Sequence, residues 1–340
     1  MEKINCRGVT LASILEGGGP LAVEGVPPVK TREKMRKIRV RVPATSANVG
    51  SGFDCAGIAF QLYNEFEFEK LDSGFIIEGC EEKFATEDNL ANVAYRAMCK
   101  RLGADPSVRI KIIEVNVPNA RGLGSSSTFI CAGAYSAILL NCPDYIRRKE
   151  FLKEKWNELC EVCTEIEGHP DNVIPALYGS LCITAWDEGK IISYVYDISD
   201  KIHFTVLIPE FEVKTSDARK VLPSEISRQD AVYNMSRLAL MPHAFINGNF
   251  DLLKVVTKDK IHEQYRKKLF RNIDEVEKIA YDLGASSFVI SGAGSTCLCM
   301  SESSIENELN ERIKFLENNW KAYELKVAKD GIEEVMYYAE

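Results

Sequence analysis

The chain contains no apolar run approaching the ~20 residues that a helix needs to cross a bilayer, so a membrane-embedded protein is not expected. It also lacks a surplus of positive charge. Lys and Arg number 42 against 50 Asp and Glu, a formal net charge of -8. Such a surface repels phosphate backbones and anionic lipid heads, which argues against nucleic acid and membrane as partners. No internal repeat and no low-complexity tract appears, which excludes a solenoid and a fibrous chain. The N-terminus does not read as a secretory signal, because Glu16 and Gly17-Gly18-Gly19 cut short the apolar stretch beginning near Val9.

What is present is a globular composition, with 46% hydrophobic and 27% charged residues. At 340 residues the chain is long for one core and suits two domains of the usual ~100 to 200 residues. Eleven cysteines would suggest a disulfide scaffold in a short secreted chain. Here they sit among apolar neighbours, as in Ile130-Cys131-Ala132 and Leu181-Cys182-Ile183, where a reduced thiol acts as a small hydrophobe. A reducing, cytoplasmic setting is therefore expected. The best metal-like spacing is Cys160-x-x-Cys163 with Cys297-x-Cys299. The first pair also fits the apolar stripe of a helix.

Residues 1–34 are rich in Gly and Pro and read as a flexible or non-native N-terminal extension. Regular alternation starts at Lys37-Ile38-Arg39-Val40 and recurs at Asn64 to Glu69 and at Val108 to Ile112, each predicting a half-exposed strand. A helix is predicted from Asn89 to Leu102, stopped by Gly103, and a second, apolar on every side, from Ser125 to Leu140. Glu150 to Ile166 reads as an amphipathic helix with Glu154, Glu158, Glu161 and Glu165 on its polar side. A hairpin follows, turning at Asp187-Glu188-Gly189. Beyond Lys201 the order changes, and two α+β units are expected, residues 35–200 and 201–340.

The strongest chemical signal is Pro118-Asn119-Ala120-Arg121-Gly122-Leu123-Gly124-Ser125-Ser126-Ser127-Thr128, after a strand and opening the apolar helix. Glycines let backbone approach a ligand, and a helix start offers free N–H groups and the positive end of its dipole. That combination suits phosphate, and one of the hydroxyls can face a magnesium ion. The alternative is a loop that merely caps the helix. The segment lacks the Gly-Lys-Ser/Thr of a Walker A site and the third glycine of a dinucleotide fold. No His-Arg-Asp loop of a protein kinase occurs.

The loop resembles the phosphate-binding motif of the GHMP kinases, and three further segments agree. Pro43-Ala44-Thr45-Ser46-Ala47-Asn48-Val49-Gly50-Ser51-Gly52-Phe53-Asp54 and Glu167-Gly168-His169-Pro170-Asp171-Asn172-Val173 resemble signatures of the homoserine kinase branch. Ile290-Ser291-Gly292-Ala293-Gly294-Ser295-Thr296 resembles the superfamily's C-terminal glycine loop. The resemblance runs from about Met35 to the end. Ser127-Thr128 depart from it, standing where the family loop usually has small alanines.

The resemblance implies a two-domain α+β GHMP kinase fold, an ATP-binding N-terminal domain followed by a ferredoxin-like C-terminal domain. It implies ATP as co-substrate, Mg2+ held by Ser126 and Glu161, and L-homoserine as acceptor in the step before threonine synthase. Its carboxylate would be held by Arg219 and Arg266, either of which otherwise reads as a surface residue. Asn48, Asp54 and His169 would serve the rest of the substrate, and of Asn48 and Asp54 only Asp54 bears the charge an ammonium needs. Asp171, Asn172, Thr215 and Arg219 are the catalytic candidates. Asn172 is expected to orient the hydroxyl while phosphate accepts the proton, Asp171 being the base if one exists. Dimerisation is common in that family, so a homodimer is an expectation from resemblance only. The competing readings are a mevalonate- or shikimate-type GHMP kinase and a non-catalytic metabolite sensor.

Overall fold

The computed structural model describes residues 36–335, and the expected extension of residues 1–34 lies outside them. The alternation at Lys37 becomes β1 (Lys37–Ala47), antiparallel to β2 (Ala56–Lys70) from Lys37 opposite Glu69 to Ala47 opposite Gly57. After β3 (Phe75–Glu78) comes α1 (Leu90–Leu102), where the Asn89 side chain accepts from the Ala91 amide and Gly103 closes the helix in a left-handed conformation. β4 (Val108–Val115) lies antiparallel to β2 and parallel to β3.

Four segments follow: α2 (Ser125–Leu140), α3 (Arg148–Glu167), α4 (Pro170–Tyr178) and the hairpin of β5 (Leu181–Asp187) with β6 (Lys190–Tyr196). β5 pairs with the start of β2, so this one long strand pairs with three others, β1, β4 and β5. As its composition predicts, α2 is buried on every side. A methyl group added at Gly133 would stand 2.0 Å from the Ala91 carbonyl oxygen, so this glycine is what lets α2 lie against α1. Phe66, Phe68, Tyr95, Met98 and Ile110 fill the core between helices and sheet.

From β7 (His203–Ile208) the chain forms α5 (Thr215–Lys220), α6 (Arg228–Asn247), α7 (Phe250–Val256), α8 (Glu263–Arg266) and α9 (Ile273–Asp282). Then come β8 (Ala285–Ile290), β9 (Cys297–Ser301), α10 (Glu306–Ile313) and β10 (Lys321–Leu325). The second sheet has the order β10-β7-β9-β8 with every pair antiparallel, the split β-α-β arrangement of a ferredoxin-like unit. β11 (Glu333–Glu334) returns to pair with β1. Phe60 of the first sheet meets Phe204 of the second edge-on at 5.4 Å, and Phe204 stacks on Phe245 of α6. Each such buried ring is worth ~2 to 3 kcal/mol of apolar burial, enough to hold the sheets against each other.

The ten cysteines of the described residues are all free. Cys160 and Cys163 belong to the core under the first sheet, Cys297 and Cys299 to a separate core beside α9 and α10, so no four-thiol site is assembled. Burial pushes the Cys160, Cys182 and Cys299 thiols well above their usual range, as expected of inert hydrophobes.

α8 is small but heavily tied. Asp259 accepts from the amides of Ile261, His262 and Glu263, and buried Glu263 accepts from the Ile290 amide at 2.8 Å. Desolvation pushes the Glu263 carboxyl from 4.5 up to about 8, partly offset by that hydrogen bond. Below the unfolded value both states carry the proton. Between about pH 4.5 and 8 the unfolded chain releases it while the folded chain keeps it, so stability falls as pH rises. Glu263→Gln keeps an acceptor for the Ile290 amide and removes the titration. Its melting temperature is expected to gain on the wild type by several degrees from about pH 5 to about pH 8, at ~2 to 4 °C per kcal/mol. Thermal denaturation across that range checks it.

Candidate active site

Between β4 and α2 the backbone adopts positive φ at Ala120, Gly122 and Gly124. No side chain caps α2 at Gly124, so its first-turn N–H groups are left for a ligand, which disfavours the capping-loop reading. A Cβ at Gly122 would lie 2.2 Å from the Ser291 carbonyl oxygen, and one at Gly124 would lie 2.0 Å from Thr45 Oγ1. Three remote segments thus meet here. The Thr45 amide donates to the Leu123 carbonyl, the Thr296 amide to Arg121, and the Gly292 amide to Ala47. Ser291 Oγ lies 2.6 Å from the Gly122 carbonyl oxygen and 2.8 Å from Ser46 Oγ.

The cleft they enclose is lined by Asn119 to Gly122 and by Gly124, Ser125 and Ser126 of the loop. Pro118 and Leu123 do not line it, Leu123 being buried in the core. Ser127 and Thr128, expected to add hydroxyls to the loop, also turn inward. Thr128 Oγ1 donates to the Ser125 carbonyl and accepts from Asn64, because the second and third residues past the helix start rotate away from its open end. Arg121 lines the cleft, but its guanidinium donates to the carbonyls of Pro209 and Phe211.

Two carboxylates of α3 bear on the expected metal site. Glu161 faces the Arg101 guanidinium at 3.7 Å and does not reach the cleft. Glu167 does, accepting from Ser126 Oγ at 2.8 Å. Six residues apart, the two glutamates stand about 120° from each other around α3, so one face does not present both. Burial raises the Glu167 carboxyl above its usual range despite hydrogen bonds and the His169 charge that pull the other way. Hydroxyl and carboxylate oxygens at this spacing form a hard donor set of the type magnesium takes beside nucleotide phosphates.

The remaining candidates converge on the same cleft. Asn48, at φ 70°, donates to the Gly292 carbonyl and accepts from the Asp54 amide, so both ends of its side chain are engaged. Arg219 grips Asp54 through two bonds of 2.9 and 3.1 Å. Arg266 is buried, donates to the Gly292 carbonyl at 2.7 Å, and packs over the Phe53 ring. Burial lowers the pKa of Arg266, which the charge of Asp54 partly restores. His169 Nδ1 lies 2.5 Å from buried Asp171. Burial pulls its pKa down, but the hydrogen bond and charge of Asp171 outweigh that, and the net shift is upward. Asp54, His169 and Asp171 bring ligand-type atoms within 4.8 Å of one another. Asn172 Oδ1 accepts from Thr45 Oγ1 at 2.8 Å, which leaves its amide nitrogen to donate. Thr215 and Lys214 line the cleft from the start of α5.

Two family models match the chain, the GHMP kinases N-terminal domain over residues 89–180 and the GHMP kinases C-terminal domain over residues 239–318. A homoserine kinase of Clostridium botulinum (strain 657 / Type Ba4) is 40% identical over 298 residues, 86% of this chain and 97% of that protein. The chain belongs to the homoserine kinase family of GHMP kinases. A family member from Clostridium beijerinckii is 43% identical over 82% of this chain and 91% of its own length. The crystal structure of a homoserine kinase from Cytophaga hutchinsonii superposes with a TM-score of 0.77 at 25% identity, covering 90% of this chain and all of that one.

Within this homoserine kinase fold, Glu167, Thr45 and Lys214 are cleft or cleft-supporting residues that the sequence reading passed over. Glu167 carried a signal in hindsight: it is the last helical residue before a left-handed glycine, so its side chain stands beside the following motif. Thr45 carried none, since its role depends on a contact with Asn172 across 127 positions.

Proposed function

We propose that the chain transfers the γ-phosphoryl group of ATP to the side-chain hydroxyl of L-homoserine, giving O-phospho-L-homoserine for threonine biosynthesis. The observation that carries this reading is one cleft holding an uncapped helix start beside a set of opposed fixed charges, Arg219 and Arg266 against Asp54. A zwitterionic acceptor satisfies both signs. Its carboxylate takes the place of Asp54 on Arg219, and its ammonium takes the place of Arg219 at Asp54. Ser126 and Glu167 would hold Mg2+, which when bound offsets the phosphate charge. The N–H groups at the start of α2 hold the phosphates, and Asn172 donates to the acceptor hydroxyl and fixes its direction of attack.

Asp171 serves this arrangement by holding His169. Asp171→Asn is therefore expected to retain measurable turnover, with the hydroxyl proton passing to the phosphoryl oxygens. Complete loss of turnover with homoserine binding intact would instead make Asp171 the base. The reading itself is tested by ADP release measured with homoserine, threonine, mevalonate and shikimate. Homoserine is expected to be the efficient acceptor, since mevalonate and shikimate have no ammonium for Asp54. Absence of ADP formation with homoserine would defeat it. A silent sensor is disfavoured by the intact loop glycines, Glu167 and Asp171.

A further inference from the structure

The cations lining the cleft can be accounted for one at a time. The Arg121 guanidinium is committed to the Pro209 and Phe211 carbonyls. Arg219 is bonded to Asp54, and buried Arg266 to the Gly292 carbonyl. His169 is bonded to Asp171. Among the described residues that line the cleft, Lys214 is the remaining cation, and no hydrogen bond or ion pair joins its ammonium to another described residue. Its charge is felt by Asp217, whose carboxylate is already bonded by Lys220.

The position of Lys214 gives that free charge a direction. It is the residue before α5 and is exposed, while Val213 beside it is buried and anchors the backbone. Thr215 and Arg219, four apart, share one face of the same short helix, and both line the cleft. The phosphate loop itself has no lysine, so the charge developing on a transferring phosphoryl group must be met from elsewhere.

We propose that Lys214 contacts the γ-phosphoryl group of ATP during transfer and is a catalytic residue. This rests on the phosphotransfer reading above. In the step, a lone pair of the acceptor hydroxyl oxygen forms the new bond to the γ-phosphorus as the bond from that phosphorus to the β,γ-bridging oxygen breaks. The bridging electron pair leaves with ADP, and the hydroxyl proton passes to an oxygen of the transferred group. Lys214 stays protonated throughout and opposes the negative charge on the equatorial oxygens. A flexible four-carbon stem with three rotatable donors suits a group that moves between two oxygens, and a rigid fork of the same charge serves it in part. Because Arg219 lies on the same helix, engagement of the acceptor carboxylate also sets the origin of the Lys214 side chain.

The test compares wild type, Lys214→Ala and Lys214→Arg in steady-state ADP release, with melting curves to confirm folding. Lys214→Ala is expected to lower kcat ~10² to 10³-fold with the KM for homoserine within about threefold, as for loss of one donor to a transition-state charge. Lys214→Arg is expected to recover about tenfold or more of that loss. An alanine variant whose kcat stays within about threefold of wild type overturns the proposal. So does a loss expressed only in the homoserine KM, or one that arginine leaves unrepaired in a normally melting protein. A wild-type chain that forms no ADP with homoserine would instead remove the phosphotransfer reading, and this inference with it.

Discussion

Glu167→Gln is expected to lower kcat ~10² to 10³-fold and to raise the Mg2+ concentration needed for half-maximal rate, while Glu161→Gln stays within about twofold of wild type. The contrast follows from geometry. Glu167 shares a 2.8 Å hydrogen bond with Ser126 at the open end of α2. Glu161 is spent on Arg101 at the outer face of α3. The glutamine retains an acceptor for Ser126, so folding is preserved and only the negative charge is lost. That charge is costly to hold without a cation, since burial already raises the Glu167 carboxyl. Initial rates over a Mg2+ titration separate the two variants. Equal losses at both positions would show that the carboxylate acts through the helix rather than on an ion.

Arg219→Ala is expected to cost ~10²-fold or more in kcat/KM for homoserine, chiefly through KM, with the KM for ATP little changed. Two losses combine. The acceptor carboxylate loses its fork, and Asp54 loses the partner that holds it in place before substrate arrives. Arg219→Lys keeps the charge without the two-pronged geometry and is expected to fall between, at ~10-fold. Steady-state kinetics varying each substrate in turn check this. The pair also accounts for selectivity: a ligand with a carboxylate but no ammonium draws Arg219 away and brings Asp54 no cation in exchange.

Local chemistry made the helices legible. Asn89 and Gly103 mark the ends of α1 because a cap and a left-handed stop are properties of single residues. The all-apolar pattern after Ser125 likewise specifies burial of α2 without knowledge of its neighbours. Glu154, Glu158, Glu161 and Glu165 of α3 could not be ranked in that way, and the carboxylate at the phosphate loop is none of them. Glu167 stands there because Gly168 ends the helix directly after it. The hydroxyl run misled for a related reason: Ser125 and Ser126 face the cleft, but one further step of ~100° turns Ser127 and Thr128 into the core. β3 and β10 were unreadable because most of their residues stay partly exposed, and α5 because six residues carry too little periodicity. The Asp54–Arg219 pair joins positions 165 apart, a distance no window along the chain can see.

The cradle at Gly122 is closed on one side by Ser291 and on the other by Ala47 and Thr45, and Thr296 secures Arg121 from behind. A nascent chain emerging from the ribosome therefore carries an unfinished nucleotide grip until residues 291–296 have been translated. Truncation products that fold the first sheet correctly should be unable to consume ATP.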